Sequence, residues 1–332
     1  MTTLGADLIL GIMVAESELT IVAVRAAECD FEPLLDNIET AAADHWRSAK
    51  MGAGKRKWYA DRLDWTRDEG EGLVALRAGE AHGFVAYHVE NTSGVLDALY
   101  VPQDENRGLV AHRLLETAIA ELRERADVRS IENRFFAWPE DYLTAPLTEM
   151  GFTVVQRADM ILTLSDRPLM PDENPPGTLA IRPLGECDVS DITRCVHASY
   201  RNGEDPVYSP DGLTLEGTEA KVKALLNDCD YRYSFAAMDG TVVVGIALVC
   251  KYDHDDAYSL VLQDFCTDPA YRGRGIGAGL LTRLLNDMSG AGEKDVMLTV
   301  TLSNRTAIRC YEKFGFRHKR TVPYARWLRN NP

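Results

Sequence analysis

One short stretch of the 332-residue sequence combines residue types that can hold a phosphate. It reads YRGRGIGAGLL from Tyr271 to Leu281 and places glycines at 273, 275, 277 and 279, directly before a helical apolar pattern. A glycine-rich turn that opens a helix presents several backbone N–H groups together with the positive end of the helix dipole. The stretch therefore predicts a phosphate-binding loop, and it leaves open which nucleotide is bound.

Two common nucleotide loops fit this stretch poorly. A dinucleotide fingerprint can be read in Gly273, Gly275 and Ala278, with an acidic residue, Asp295, about 20 residues further on. However, Asp295 precedes the next predicted strand instead of ending it, and hairpin-linked strands rather than a parallel βαβ unit come before the loop. No Gly-Lys-Ser/Thr follows the glycines, which excludes a Walker loop.

A second motif follows the first. The sequence SNRTAIRCYEKFGF at 303–316, taken together with TDPAYRGRGIGAGLL at 267–281, closely resembles the GCN5-related N-acetyltransferase (GNAT) family. The pyrophosphate motif of that family, Q/R-x-x-G-x-G/A, is met by Arg272, Gly275 and Gly277, and the later motif N-x-x-A-x-x-x-Y-x-x-x-G-F begins at Asn304. The resemblance covers residues 179–329 well and residues 19–165 in outline.

The resemblance implies an acyltransferase that uses acetyl-CoA as its cosubstrate. Backbone N–H groups of the glycine loop would bind the pyrophosphate, and an N–H near Phe265 or Cys266 would polarise the thioester carbonyl for attack by a neutral amine. Tyr311 would give a proton to the departing thiolate. The implied cofactor-binding residues are Phe265, Cys266, Thr267, Arg272, Gly273, Arg274, Gly275, Ile276, Gly277, Ala278 and Asn304.

Several of these residues also have a purely structural interpretation. Tyr311 stands at helical spacing from apolar residues, which is typical of a core tyrosine, and Asn304 is a common N-cap residue. Cys266 and Cys310 have apolar neighbours, which favours small buried side chains over nucleophiles. A non-catalytic acyl-CoA-binding or regulatory module, in which Tyr311 is merely packed, is therefore the alternative to an enzyme.

The sequence does not identify a general base. Strict alternation along the strand before the loop gives one face to Val261, Gln263, Phe265 and Thr267. None of these is a carboxylate, and Asp264 points to the other face unless a bulge shifts the phase. The acidic residues and the histidine at 254–256 fall in a predicted turn. A water-relayed base, or an amine that arrives neutral, stays open.

The elements that position the loop form a β-α-α-β-β-β-α-β-α-β-β series. The predicted C-terminal elements are strands at 179–184, 232–238, 241–251, 258–267 and 296–302, helices at 188–200, 216–226, 276–288 and 304–313, and two short final strands. The N-terminal half repeats this order, with strands at 21–26, 73–77, 82–89, 95–101 and 131–137 and helices across 31–49 and 110–125. Pro102 and Gly108 fall where Pro269 and Gly275 fall, so the chain reads as two copies of one domain.

The N-terminal copy of the loop is degenerate. In QDENRGLV at 103–110 only Gly108 is kept, Glu105 replaces Arg272, and Val110 replaces a glycine. An anionic side chain and a β-branched Cβ both oppose a pyrophosphate. Leu147 takes the tyrosine position and Glu140 the asparagine position. We therefore predict that the N-terminal half does not catalyse acetyl transfer.

The chain is predicted to be of the α/β (α+β) class. It would hold two tandem GNAT domains, each a mixed and mostly antiparallel sheet flanked by helices. The proline-rich stretch SDRPLMPDENPPGT indicates a linker. The predicted division is an N-terminal domain at 1–165, a linker at 166–178 and a catalytic domain at 179–332. The doubled arrangement is similar to tandem members of the family that act in secondary metabolism.

The composition limits the classes of molecule that the protein is expected to bind. A formal net charge of −15 disfavours nucleic acid, and no apolar run approaches the roughly 20 residues of a membrane helix. The seven cysteines form no C-x-x-C pair and no metal-site spacing, which predicts a cytoplasmic protein without a metal. The expected partner is a small-molecule primary amine, and the expected state is a monomer or a homodimer.

Overall fold

The computed structural model describes residues 19–46, 49–90, 92–104, 106–133, 143–165, 169–171, 179–201, 214–254 and 257–329. The chain divides into two units, Met1–Val154 with Pro323–Pro332, and Val155–Val322. Most of the predicted linker lies outside the described residues, and the division of the sequence into copies at 166–178 stays a prediction. No helix in the described ranges is long and apolar enough to cross a membrane.

The first unit is a mixed sheet with helices on both faces. Its elements are β1 (Leu19–Ala23), α1 (Glu32–Trp46), α2 (Ala49–Asp68), β2 (Glu71–Arg77), β3 (Glu80–Glu90), β4 (Ser93–Tyr100), α3 (Arg107–Glu124), β5 (Ser130–Asn133) and α4 (Thr144–Glu149). Strands β1 to β4 pair antiparallel in sequence order, and β5 runs parallel to β4. Along β3, Val85 and Tyr87 pack with α3 while Phe84 and Ala86 pack with α1 and α2, because successive side chains alternate in direction.

Helix α2 was missed by the sequence analysis, because the helices predicted in this region end at residue 49. Its sequence is largely polar, and among its residues 53–68 only Tyr59, Leu63 and Thr66 are fully buried. Three fully buried positions within two turns give a weak hydrophobic pattern. Tertiary packing against the sheet, rather than local pattern, therefore fixes this helix.

After its first strand, the second unit has the same order of strands and helices as the first. Its elements are β6 (Thr153–Thr163), β7 (Leu179–Pro183), α5 (Val189–Arg201), α6 (Leu215–Asn227), β8 (Phe235–Asp239), β9 (Val242–His254), β10 (Ala257–Thr267), α7 (Ile276–Gly290), β11 (Asp295–Thr301) and α8 (Arg305–Lys313). The last strand, β12 (Arg317–Leu328), begins in this unit, and its residues 323–328 belong to the first unit. The strand order is β6-β11-β10-β9-β8-β7, and every pair is antiparallel except the parallel pair β10–β11. The predicted mixed, mostly antiparallel sheet is confirmed.

The end of the chain differs from its prediction. The two short final strands are wrong, because residues 317–328 form one continuous strand. Its last residues, 326–328, pair with 130–132 in the first unit, whereas residues 157–163 of β6 pair with β11 in the second. Each unit therefore completes its sheet with a strand from the other half of the sequence.

Candidate active site

The glycine stretch folds into a turn that opens α7. Asp268 caps a short 3-10 turn at Pro269–Tyr271 by accepting a hydrogen bond from the Ala270 N–H at 2.8 Å. Gly273 and Gly275 follow with φ values of 75° and 76°, in the left-handed region that favours glycine. Residues 272–275 are exposed. The sequence therefore turns sharply here because only glycine takes this backbone without strain.

The N-terminus of α7 is open. Gly275 is its N-cap and supplies no side-chain hydrogen bond. Gly279 is the first residue whose N–H reaches back, to the Gly275 carbonyl at 2.9 Å, so the preceding N–H groups lack an intrahelical acceptor. A bare helix N-terminus of this kind suits an anion, and the residues present therefore fit the pyrophosphate of coenzyme A.

Both arginines of the loop are bound to main-chain carbonyls. Arg272 donates to the Ser199 carbonyl at 3.0 Å and to the Thr267 carbonyl at 3.3 Å. Arg274 donates to the Ala270 carbonyl at 3.1 Å and lies over the Tyr271 ring. Arg272 thus links the turn to α5 and to the end of β10, whereas Arg274 binds within the turn. Their predicted contact with the cofactor stays a prediction.

Strand β10 carries a bulge and then parts from β11. The register with β9 shifts between Leu262 and Asp264, which leaves Gln263 as the extra residue. Among the described residues the register of β10 with β11 runs through one pair, Val261 with Met297, while β11 continues against β6. After Val261, the described part of β10 therefore has no further register pair with β11.

The bulge also corrects the predicted faces of β10. Leu260, Leu262 and Phe265 pack on the side of α7, whereas Cys266 packs on the side of α5 and α6. The prediction that strict alternation sets the faces of 261–267 is wrong, because the extra residue at Gln263 shifts the phase. Phe265 therefore faces the helix that follows the glycine turn.

Phe265 joins the glycine turn to Tyr311. A Cβ on Gly277 would lie 3.2 Å from Phe265 Cζ, so glycine lets the first turn of α7 approach β10 closely. On the other side, the rings of Phe265 and Tyr311 have centroids 5.8 Å apart. Tyr311 itself is 6% exposed. Three predicted features, the loop, the strand and the tyrosine, thus meet at one side chain.

Asn304 and the cysteines have clear structural roles. Asn304 caps α8 by accepting a hydrogen bond from the Ala307 N–H at 3.1 Å. A hydrogen bond with Cys195, together with burial, raises the pKa of the Cys266 thiol well above its ordinary value, and burial raises the pKa of Cys310. These thiols stay protonated at neutral pH, which favours packing over nucleophilic chemistry. No group of acidic, histidine and cysteine residues suited to a metal occurs in the ranges described.

The comparison with protein families agrees with this geometry. Residues 198–316 match the model of the acetyltransferase (GNAT) family. An uncharacterised N-acetyltransferase of Methanocaldococcus jannaschii is 35% identical over 46% of this chain and 66% of its own length. Residues 198–316 belong to the GNAT family. The chain spans between 34% and 66% of the length of the first curated relatives it matches.

Solved structures with the GNAT fold cover nearly the whole chain. A GCN5-related N-acetyltransferase of Sphaerobacter thermophilus has a TM-score of 0.64 at 17% identity and covers 93% of this chain and 95% of its own. A tandem GNAT protein of the clavulanic acid biosynthesis pathway has a TM-score of 0.57 at 14% identity and covers 94% and 98%. These likenesses show a tandem GNAT fold.

The N-terminal loop differs in what its backbone binds. Helix α3 begins at Arg107, and the Arg107 N–H bonds to the Asp104 carbonyl at 3.2 Å. The Asp104 carboxylate accepts the Asn106 N–H at 2.8 Å, which puts an internal anion on the backbone of this loop. Leu147, at the tyrosine position, is fully buried. Glu105 and Glu140 lie outside the described residues.

A cavity of about 540 Å³ opens beside the start of the C-terminal loop. Its lining residues are Arg194, His197, Ala198, Arg201, Leu215, Asp268, Pro269 and Ala270. This volume is typical of small-ligand sites. Arg201 and Leu215 lie on either side of residues 202–213, which are outside the described residues.

Two polar clusters of the GNAT domain escaped the sequence analysis. Asp159 on β6 accepts hydrogen bonds from Thr299 at 2.7 Å and from Arg320 at 2.6 Å. Asp264 on β10 is 2% exposed and accepts a hydrogen bond from the Tyr200 hydroxyl at 2.7 Å. The members of each cluster lie far apart in sequence, so no local pattern marks them. For Asp264, the one available signal was the possibility of a bulge.

Proposed function

We propose that this protein is an acetyl-CoA-dependent N-acetyltransferase that acetylates a primary amine of a small molecule in its C-terminal unit. The observation that carries the proposal is the position of Phe265, which contacts Tyr311 and lies against the uncapped start of α7. The helix terminus that would bind the anion and the tyrosine that would donate the proton both lie beside Phe265. Membership of the GNAT family supports the same reaction.

Different residues of the C-terminal unit would bind the cofactor, stabilise the developing charge and donate a proton. Acetyl-CoA supplies an acetyl thioester. Backbone N–H groups from Gly273 to Ala278 would bind the pyrophosphate, and the N–H of Phe265 or Cys266 would stabilise negative charge that develops on the carbonyl oxygen. The Tyr311 hydroxyl would hold the proton that the departing sulfur requires. Because Tyr311 is buried beside Phe265, it would be shielded from water in that step.

We further infer that the N-terminal unit does not catalyse the reaction. Its loop already binds the carboxylate of Asp104, and Val110 sits in the hydrophobic core where the C-terminal loop has Gly277. An added pyrophosphate would compete with an internal anion and meet its charge repulsion. The unit would then have a structural role.

The test is release of free thiol from acetyl-CoA against a panel of small primary amines, with CoA binding measured in parallel by calorimetry. Thiol release that depends on the amine, together with the acetylated product in mass spectra, is the expected result. CoA binding without release above background would favour the acyl-CoA-binding module. If CoA does not bind and no thiol is released, both functions are overturned.

A further inference from the structure

An arginine on β6 carries an N–H group that no atom of the described residues accepts. Arg157 is partly buried, and its Nε is fully buried without a hydrogen-bond partner in the described ranges. The guanidinium donates one hydrogen bond there, from Nη2 to the Thr299 carbonyl at 3.2 Å. Because a buried N–H without an acceptor is destabilising, this donor indicates a contact with a ligand oxygen.

The acid that lies next to Arg157 on the same face of β6 is already used. Asp159 is 4% exposed, and its two carboxylate oxygens accept the Thr299 hydroxyl at 2.7 Å and the Arg320 Nε at 2.6 Å. Arg320 therefore balances the charge of Asp159, and Arg157 forms no ion pair within the described part of the chain. In a protein with a formal net charge of −15, this leaves a partly buried cation that an anionic ligand would compensate.

The Arg157 guanidinium reaches the edge of β11 that faces β10. The Leu302 N–H bonds to the Gln156 carbonyl on β6 at 2.9 Å. Successive residues of a strand direct their N–H and C=O groups to opposite neighbours, so the Thr299 carbonyl, three residues earlier, is directed toward β10. Because Arg157 itself lies on β6 and donates to this carbonyl, its side chain crosses β11.

This edge of β11 lies level with the bulge of β10. The two strands run parallel, and Val261 pairs with Met297. Thr299 is two residues beyond Met297, and the bulge at Gln263 is two residues beyond Val261. Phe265, whose N–H is proposed to stabilise the thioester oxygen, follows the bulge by two residues, which is about 7 Å along an extended strand. The guanidinium therefore lies beside the proposed position of the acetyl group.

Arg157 lies on the face of the sheet opposite Tyr311. Ala158 and Met160 pack in the same core as Tyr311 and α7, so the alternating side chain of Arg157 points to the other face. On that face, the apolar cluster under α5 and α6 takes residues from β8, β9 and β10, but none from the described residues of β6 or β11. A polar surface therefore continues the face beyond β10.

We propose that Arg157 binds a carboxylate of the acceptor, so that the substrate is a primary amine that also carries a carboxylate, as an amino acid does. This assignment rests on the proposed function. A guanidinium binds a planar carboxylate through two parallel N–H groups, and the buried Nε supplies one of them. The amine of the same molecule would then reach the acetyl carbon from the face opposite Tyr311.

Pairs of matched amines test the assignment in the wild-type protein. The probes are 3-aminopropanoate, 4-aminobutanoate and 6-aminohexanoate, each compared with its neutral amide, and the three lengths vary the distance between amine and carboxylate. At least one acid should be preferred over its amide by about 10- to 100-fold in kcat/KM, the size of a charge-assisted hydrogen bond. If every amide is acetylated as well as its acid, the subsite is overturned while the proposed function stands.

Variants of the full chain then assign the preference to Arg157. Arg157→Gln should lower kcat/KM for the preferred acid by about 10- to 100-fold, mainly through KM, and leave its amide within about twofold. Arg157→Lys keeps the charge but loses the planar fork, so its kcat/KM should lie between those of Arg157→Gln and the wild type. Arg283→Gln is the matched control, because it removes the same charge from an exposed ion pair with Asp287 and should leave both probes within about twofold.

The ratio of acid to amide separates a subsite from a structural bond. If Arg157 only held the Thr299 carbonyl, Arg157→Gln would lower transfer to acid and amide equally, and that outcome overturns the assignment. A fall in CoA affinity by calorimetry would assign Arg157 to the cofactor and overturn it as well. The wild-type preference decides even where neither variant folds. A wild type that binds CoA but acetylates no amine overturns the proposed function, and the subsite with it.

Discussion

The Tyr311 ring lies against the Phe265 ring, with centroids 5.8 Å apart and planes inclined by 47°. Phe265 belongs to the strand that parts from β11, and Tyr311 belongs to the helix that Asn304 caps. The contact therefore fixes the tyrosine beside the strand edge at which the acetyl thioester is proposed to bind. Its chemistry can be separated from its packing, because the hydroxyl can be removed while the ring stays.

Tyr311→Phe is expected to lower kcat by about 100-fold or more, since it removes the proton donor but keeps the aromatic contact. Calorimetry should show nearly unchanged affinity for CoA. Tyr233→Phe is the matched control, because Tyr233 is also buried in the same unit and its hydroxyl binds Glu293 at 2.7 Å, away from the loop. Equal turnover of Tyr311→Phe and wild type would exclude the tyrosine from the mechanism.

The degenerate N-terminal loop suggests a substitution that tests the C-terminal glycine loop. Gly277→Val introduces the residue that the N-terminal loop has at Val110. Its Cβ would lie 3.2 Å from Phe265 Cζ, so either the ring or the first turn of α7 must move. Such crowding costs about 1–3 kcal/mol, and CoA affinity should fall by about tenfold or more in a calorimetric titration.

The control for this variant is Gly108→Ala. A Cβ on Gly108 meets no atom within 4 Å, and Gly108 lies inside helix α3. Alanine there should raise stability by about 0.5–1 kcal/mol and leave CoA binding unchanged. If Gly277→Val bound CoA as tightly as Gly108→Ala, the pyrophosphate would not lie on this loop.

Local sequence predicted the parts of the site that local chemistry determines. The turn at Gly273–Gly275 requires a left-handed backbone, and α7 begins at Ile276 as its apolar spacing predicts. The cap at Asn304 follows from the preference of asparagine for helix starts. Each of these depends on a few consecutive residues.

The remaining features depend on pairings that no local window contains. The residues 257–267 alternate acceptably without a bulge, and only the register with β9 places the extra residue at Gln263. The surroundings of Asp264 come from Tyr200 on α5 and Lys221 on α6. Likewise, the exchange of end strands between the two halves joins residues nearly 200 positions apart, such as Glu132 and Arg326.

Alkaline pH should destabilise the protein. Burial raises the pKa of Cys250 and of Tyr100 to about 12. In the unfolded chain the pKa is about 8.5 for cysteine and about 10 for tyrosine. Between those values and about pH 12, the unfolded chain therefore loses protons that the folded chain keeps. The free energy of unfolding is therefore unaffected below about pH 8 and falls as pH rises toward 12.

Urea unfolding at pH 8, 9.5 and 10.5 would measure this decline, and Cys250→Ala should make it shallower, by up to about 1.4 kcal/mol for each pH unit. The smaller side chain will also lower stability at every pH, so the slope rather than the absolute value is compared. A pH slope identical in wild type and Cys250→Ala would contradict the assignment of the buried thiol.

Asn304 offers a way to distinguish a helix cap from a cofactor contact. Its Oδ1 accepts the Ala307 N–H at 3.1 Å, a bond that a serine hydroxyl at the same position can also accept. Asn304→Ser should therefore keep the thermal midpoint, whereas Asn304→Ala should lose about 1 kcal/mol. If the asparagine amide also binds the pantetheine arm, both variants should weaken CoA binding by up to about tenfold, the size of one hydrogen bond. If CoA affinity is unchanged in Asn304→Ser and falls only where the thermal midpoint falls, Asn304 acts as a helix cap alone.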